Sequence, residues 1–234
     1  MQENNKLRLN PFQFACNYVV NMTNMEPVAE FKPENQNQSR DLWKNNALKQ
    51  LDAHKLGYFN FEKPSIFSST RRMLGGIADP GGHTSDPLIR AYWVGYVPIG
   101  TQGAGIGNVP YVDVPTALPA QSFVFTGSMN GCSLVVTDSP LVGHIRIYHD
   151  SAHLPATFAG LNVRIRLDYD NQHNSPHMYG DQHQAGDVPT SWNFFYYNGA
   201  HWMMVSQPQV FIPGGQTPDV KFNPVKPPFE VQVP

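Results

Sequence analysis

A mainly antiparallel β fold with one or two peripheral helices, α+β in class, is what this sequence of 234 residues predicts. Three observations carry the prediction. The 19 glycines and 21 prolines punctuate the chain into short elements. Helical periodicity is convincing in one stretch only, and past residue 57 it gives way to runs of β-branched and aromatic residues. Two of those runs flank Asn198-Gly199, a strong hairpin signal. A hydrophobic share of 41% supports a buried core and excludes global disorder. No repeat or linker divides the chain, so residues 1–234 are expected to form one domain.

Residues 1–38 are rich in Asn, Gln and Pro except for an apolar patch at 12–20, which is expected as an early strand followed by loop. Ser39 is placed to cap a helix over residues 40–55. Trp43, Ala47, Leu48 and Leu51 share one face of it, and Gly57 provides the stop. Strands are expected at residues 91–99, 122–125, 132–136, 144–149 and 163–169, the last with clean alternation. Residues 192–197 and 201–206 then form a hairpin closed by a two-residue Asn198-Gly199 turn. Seven prolines from Pro208 onward predict an extended edge or loop over 208–234.

Charged residues are 15% of the chain and the net charge is -2, which argues against nucleic acid or an anionic membrane as the main partner. No apolar run approaches the roughly 18 residues that span a bilayer. The polar start, MQENNKLRLN, is unlike a Sec signal peptide. The two cysteines, Cys16 and Cys132, are too few for a disulfide scaffold and fit a reduced, intracellular compartment.

Several candidate sites dissolve on inspection. The loop GTQGAGIG at 100–107 lacks the spacing and the Lys-Ser/Thr of a phosphate loop, and Pro98 and Pro110 bracket it, so it reads as a surface loop. His149, His153, His173, His177 and His183 cluster in sequence. The i, i+4 pair His173 and His177 contains Pro176, and no cysteine accompanies it, so no metal is expected. The aromatics from Tyr196 to Trp202 would suit a carbohydrate-binding sandwich, but alternation sends about half of them into the core.

The segment from Ser122 to Ser151 is different. It reads as strand, short connection, Cys132, strand, turn, strand, His. A thiol becomes a strong nucleophile when an imidazole takes its proton and a third group orients that imidazole. Gly131 permits a sharp bend before Cys132, so nearby backbone N–H groups can face the oxygen of an attacked carbonyl. A turn centred on Pro140 and Leu141 pairs Cys132 with His149, Leu134 with Ile147 and Val136 with Ile145, apolar against apolar. Pairing Cys132 with His144 instead puts Pro140 inside a ladder unless a bulge intervenes. His149 is favoured and His144 stays open. Buried cysteines are common, so a non-catalytic β-sandwich binding module with Cys132 as core remains the alternative.

Thr126, Gly131-Cys132 and the downstream histidines resemble the active-site strand pair of the cysteine glutamine deamidases. That group includes the chemoreceptor deamidase CheD, the catalytic domain of cytotoxic necrotizing factor, and Burkholderia lethal factor. Thr126 stands six residues before Cys132, as in CheD and the lethal factor, while Met129 and Asn130 replace the Leu-Ser of the toxin motif. The resemblance spans about 30 residues, and the size of the chain leans toward the stand-alone lethal-factor type. It implies a β-sandwich flanked by helices, and hydrolysis of a protein glutamine to glutamate through a thioester. Cys132 would be the nucleophile, His149 (alternatively His144) the base and Thr126 its orienting partner. Backbone N–H groups at Gly131 and Cys132 would hold the oxyanion, and no cofactor or metal is required. The implied protein is a monomer, made in the bacterial cytoplasm and active in the host cytoplasm. Its target would be a host translation-initiation helicase or a Rho-family GTPase. A cysteine protease or transglutaminase would use the same Cys–His pair.

Overall fold

The computed structural model describes residues 3–26, 48–62, 70–77, 88–97, 100–152, 155–170, 174–181, 186–211 and 222–234. Two short helices, α1 (Glu3–Leu9) and α2 (Pro11–Asn17), open the chain. Among the described residues fourteen strands follow: β1 (Val19–Glu26), β2 (Leu56–Glu62), β3 (Arg71–Ile77), β4 (Ile89–Val94), β5 (Tyr111–Pro115), β6 (Phe123–Thr126), β7 (Ser133–Asp138), β8 (His144–Asp150), β9 (Val163–Asp168), β10 (His177–Met178), β11 (Val188–Tyr197), β12 (Trp202–Phe211), β13 (Phe222–Pro224) and β14 (Phe229–Gln232).

These form two sheets, mostly antiparallel. The larger runs β1-β3-β2-β4-β6-β11-β12-β13, with β14 also on β12, and the smaller runs β10-β9-β7-β8-β5. The α+β sandwich expected from the sequence is the fold observed. Period-two alternation sorts the side chains into layers. On β6, Phe123 and Phe125 join a core with Leu7 and Phe14 of the helices, while Val124 joins Leu134, Val136, Ile145 and Ile147 between the sheets. The larger sheet is therefore buried on both faces near its centre.

Several expectations need correction. The 12–20 patch is not a strand: Asn10 Oδ1 accepts the Gln13 N–H at 3.1 Å, Pro11 occupies the first helical turn, and the strand begins only at Val19. The helix expected at 40–55 is described over residues 48–54; Ser39, Trp43 and Ala47 lie outside the described residues. It ends at Lys55 rather than at Gly57. Lys55 adopts φ +53° and its N–H returns to Leu51 O at 2.8 Å. The β11–β12 turn sits one residue later than expected, with Tyr197 paired to Trp202 and Gly199 at φ +99°. Asn198 Oδ1 fixes it by accepting the N–H groups of Ala200 and His201. The proline-rich tail adds β13 and β14 to β12, and Pro208, which has no N–H, falls in the gap between their two ladders.

The β7–β8 register matters most for the site. Leu134 faces His149 and Val136 faces Ile147, two residues from the expected pairing. Gly143 at φ +71° and Ser139, whose Oγ accepts the Leu141 N–H, centre the turn one residue later. An even offset keeps every side chain on its expected face.

Candidate active site

Thr126 ends β6 and His149 is the penultimate residue of β8. Alternation turns both side chains into the space between the sheets, where Thr126 Oγ1 lies 2.7 Å from His149 Nδ1. Both residues are buried, so the hydrogen bond links the two sheets in a setting where it is little weakened by water. Cys132 immediately precedes β7 and belongs to the same intersheet core. With Leu134 opposite His149, Cys132 is that histidine's diagonal neighbour on the same face.

The approach to Cys132 is built by backbone. Met129 and Ser191 of β11 exchange paired N–H to carbonyl bonds of 3.1 and 2.9 Å, and Gly131 then turns the chain with φ +72°. The Cys132 thiol points toward Asn130 O at 3.7 Å. Tyr179, fully buried, holds the next peptide units: its hydroxyl accepts the Cys132 N–H at 2.9 Å and donates to the Cys132 carbonyl at 2.9 Å. The Cys132 amide that the sequence offers to an oxyanion is thus engaged by Tyr179 in this state.

Cys132 is only 5% exposed. Burial first, and the nearby Asp150 carboxylate second, push its thiol up to about 11, with the Asn130 contact opposing them. Tyr96 covers the histidine from outside, with ring centroids 5.8 Å apart, and is itself 42% exposed. Gly127 makes that packing possible, because a Cβ there would stand 2.7 Å from Tyr96 Cδ1. A cavity of about 320 Å³ lies beside this cover, bordered by Tyr96, Asp52, Lys55 and Pro110. The Pro110 carbonyl accepts the His149 backbone N–H at 3.0 Å. Gly127→Ala is expected to displace the Tyr96 ring and to cost about 1–3 kcal/mol of stability. Urea denaturation checks this, and an unchanged midpoint would mean the ring moves aside freely.

Residues 78–234, about two thirds of the chain, match the family described as the Mcf1 activator-binding domain. The chain belongs to that family. The match supports a toxin-related family without singling out the lethal-factor type toward which size and motif lean. Thr126, Cys132 and His149 all fall inside the segment matched to the Mcf1 activator-binding domain. Among solved structures, the C-terminal domain of CNFy from Yersinia pseudotuberculosis is similar with a TM-score of 0.32 and 11% identity, over 62% of this chain and 62% of that one. A likeness at that level assigns no activity. No curated protein matches the chain.

His144 opens β8 at the far end, opposite Pro115, with its Nδ1 2.9 Å from Val142 O. Five residues of strand, roughly 16 Å, and an opposite face separate it from His149, so the fold does not bring it to Cys132. Of the remaining clustered histidines, His177 is described on β10, whereas His153, His173 and His183 lie outside the described residues. Among the described residues, no group of three or more His, Cys, Asp or Glu side chains is placed to hold a metal ion.

Sequence reasoning missed Tyr179, Tyr96 and a buried polar group on the outer face of the small sheet. There Asp150 and Asp168 are 0% and 1% exposed. Arg166 Nε donates to Asp168 Oδ1 at 2.8 Å, its Nη2 stands 3.9 Å from Asp150 Oδ2, and the Ser133 hydroxyl also donates to Asp168. Alternation placed these side chains on an outward face, and only the loops that cover it make them buried.

Proposed function

We propose that this chain is a toxin or effector module that hydrolyses the side chain of a protein glutamine to glutamate. Cys132 would be the nucleophile, His149 the base and Thr126 the group that orients the base. The observation that carries the reading is the buried 2.7 Å contact between Thr126 and His149, on the same core face as Cys132. With the Nδ1 proton donated to Thr126, His149 Nε2 keeps the lone pair that takes the thiol proton. The thiolate attacks the carboxamide carbon, the imidazolium returns the proton to departing ammonia, and a thioester remains. Water, deprotonated by the same imidazole, hydrolyses the thioester and frees the thiol. The groups that hold the oxyanion include the Gly131 and Cys132 amides, the latter once Tyr179 releases it. No cofactor is needed. The proposed substrate is a host protein, a translation-initiation helicase or a Rho-family GTPase, met in the host cytoplasm by a monomer made in the bacterial cytoplasm.

A second reading is favoured by the burial of Cys132 and by the family description. In it the chain is a binding module for an activator, and Cys132 is a core residue. Comparing glutamine-to-glutamate conversion across a eukaryotic lysate treated with the wild type or with Cys132→Ala separates the two. The hydrolase reading expects a few sites gaining roughly one dalton with the wild type only. No difference between the two folded proteins would sink it in favour of the binding module.

A further inference from the structure

The glycine-rich loop at 100–107, which the reaction above leaves unused, carries a glutamine bonded to the two residues that follow His149. Gln102 Nε2 donates to Asp150 Oδ1 at 2.8 Å, and its Oε1 accepts from the Ser151 N–H at 2.9 Å and from the Ser151 hydroxyl at 3.0 Å. Asp150 pairs with Ser133, so continuing the ladder by one step sets Ser151 opposite Cys132. Asp150 and Ser151 are 0% and 2% exposed.

We propose that Asp150 and Ser151 form a cradle that reads a primary carboxamide beside Cys132, and that Gln102 occupies it as an internal stand-in for the substrate glutamine. The inference rests on the carboxamide hydrolysis proposed above. An acceptor faces the NH₂ group and two donors face the carbonyl oxygen, which is the complement of an amide and of no other common side chain. A glutamate in the same place would lose its donor and set a carboxylate against Asp150. The cradle therefore discriminates against the product as well as selecting the substrate.

The rest of the loop is suited to leave. Gly100 and Gly105 have φ +83° and +90°, conformations that cost glycine little, and a Cβ at Gly100, Gly105 or Gly107 would meet nothing within 4 Å. Open space surrounds these three positions, and the Gln102 carboxamide ties the start of the loop to the strand end after β8, while Ile106 packs its far end against the cluster of Tyr148 and Phe158.

Modification of Cys132 by N-ethylmaleimide, followed by mass spectrometry, tests the proposal without needing turnover. Gln102→Ala is expected to react at Cys132 about tenfold faster than the wild type, as loss of a moored loop allows. Millimolar N-acetylglutamine methylamide should return the variant to the slow rate, while its side-chain N,N-dimethyl analogue and N-acetylglutamate methylamide should not. Equal rates in wild type and variant, or protection that ignores the side-chain chemistry, would overturn the cradle. Gln102→Leu, which fills the space without the amide, gives the same comparison if Gln102→Ala folds poorly, and the rate at exposed Cys16 reports global loosening. Selective protection with no glutamine conversion in lysate would keep the cradle and sink the hydrolase. Conversion without protection would do the reverse.

Discussion

Arg166→Met is expected to lower the unfolding free energy by about 3–5 kcal/mol, the usual loss when a buried charge is stripped of its partner. Two carboxylates, Asp150 and Asp168, are sealed behind the small sheet, and one guanidinium stands between them. The Oδ2 atoms of both are buried and have no hydrogen-bond partner among the described residues, so the field of Arg166 is what offsets their desolvation there. Methionine preserves most of the apolar stem and its approach to Phe158, over whose ring the guanidinium carbon lies at 5.5 Å. The loss would therefore report charge rather than packing. Urea denaturation at neutral pH measures it, and Asp150→Asn added to Arg166→Met should restore part of the loss by removing one stranded charge. A loss below about 1 kcal/mol would mean that water solvates the carboxylates once the guanidinium is gone. Asp150 also accepts from Gln102, and its charge acts through space on the Cys132 thiol, so this buried charge group links stability to the electrostatics of the candidate site.

The strands that position the site were legible because their alternation is clean. Val124 and Thr126, Leu134 and Val136, Ile145, Ile147 and His149 fall on the inward faces that period two assigns them, and a two-residue slip leaves that assignment intact. The contact between Thr126 and His149 spans the two sheets. No spacing along the chain encodes it, and it entered the reading only through resemblance. The first helices were missed because Phe12, Phe14 and Ala15 sit as well in a helix as in a strand over so short a run. The deciding signal was Asn10-Pro11, a cap followed by a helix-starting proline. Arg166, Asp168 and Asp150 were beyond reach for another reason. Outward positions are buried only where loops such as the one carrying Gln102 fold over them, and loop trajectories leave no periodic trace.

Cys132 is expected to react with N-ethylmaleimide at pH 7.5 at least tenfold more slowly than exposed Cys16, and about tenfold faster for each added pH unit until pH approaches 11. The thiolate is the reactive form, and burial holds the Cys132 thiol well above its ordinary value near 9. The same shift has a thermodynamic sign. A folded state that binds the thiol proton more tightly than the unfolded chain is stabilised while the unfolded thiol is still protonated, below about pH 9. That contribution, about 3 kcal/mol, is lost as pH rises through 9 toward 11. Unfolding free energies of the wild type and Cys132→Ala should therefore keep a constant difference from pH 7 to 8.5 and then converge in favour of the variant. Fast, pH-independent labelling at pH 7.5 would instead require a thiolate–imidazolium pair already formed with His149, a nucleophile ready without any opening step. Slow labelling describes a closed site, in which Tyr96 covers the base, Tyr179 holds the Cys132 amide and Gln102 moors the loop alongside. The hydrolysis proposed above would need, from that state, an event that loosens these contacts and lowers the thiol's proton affinity by several powers of ten.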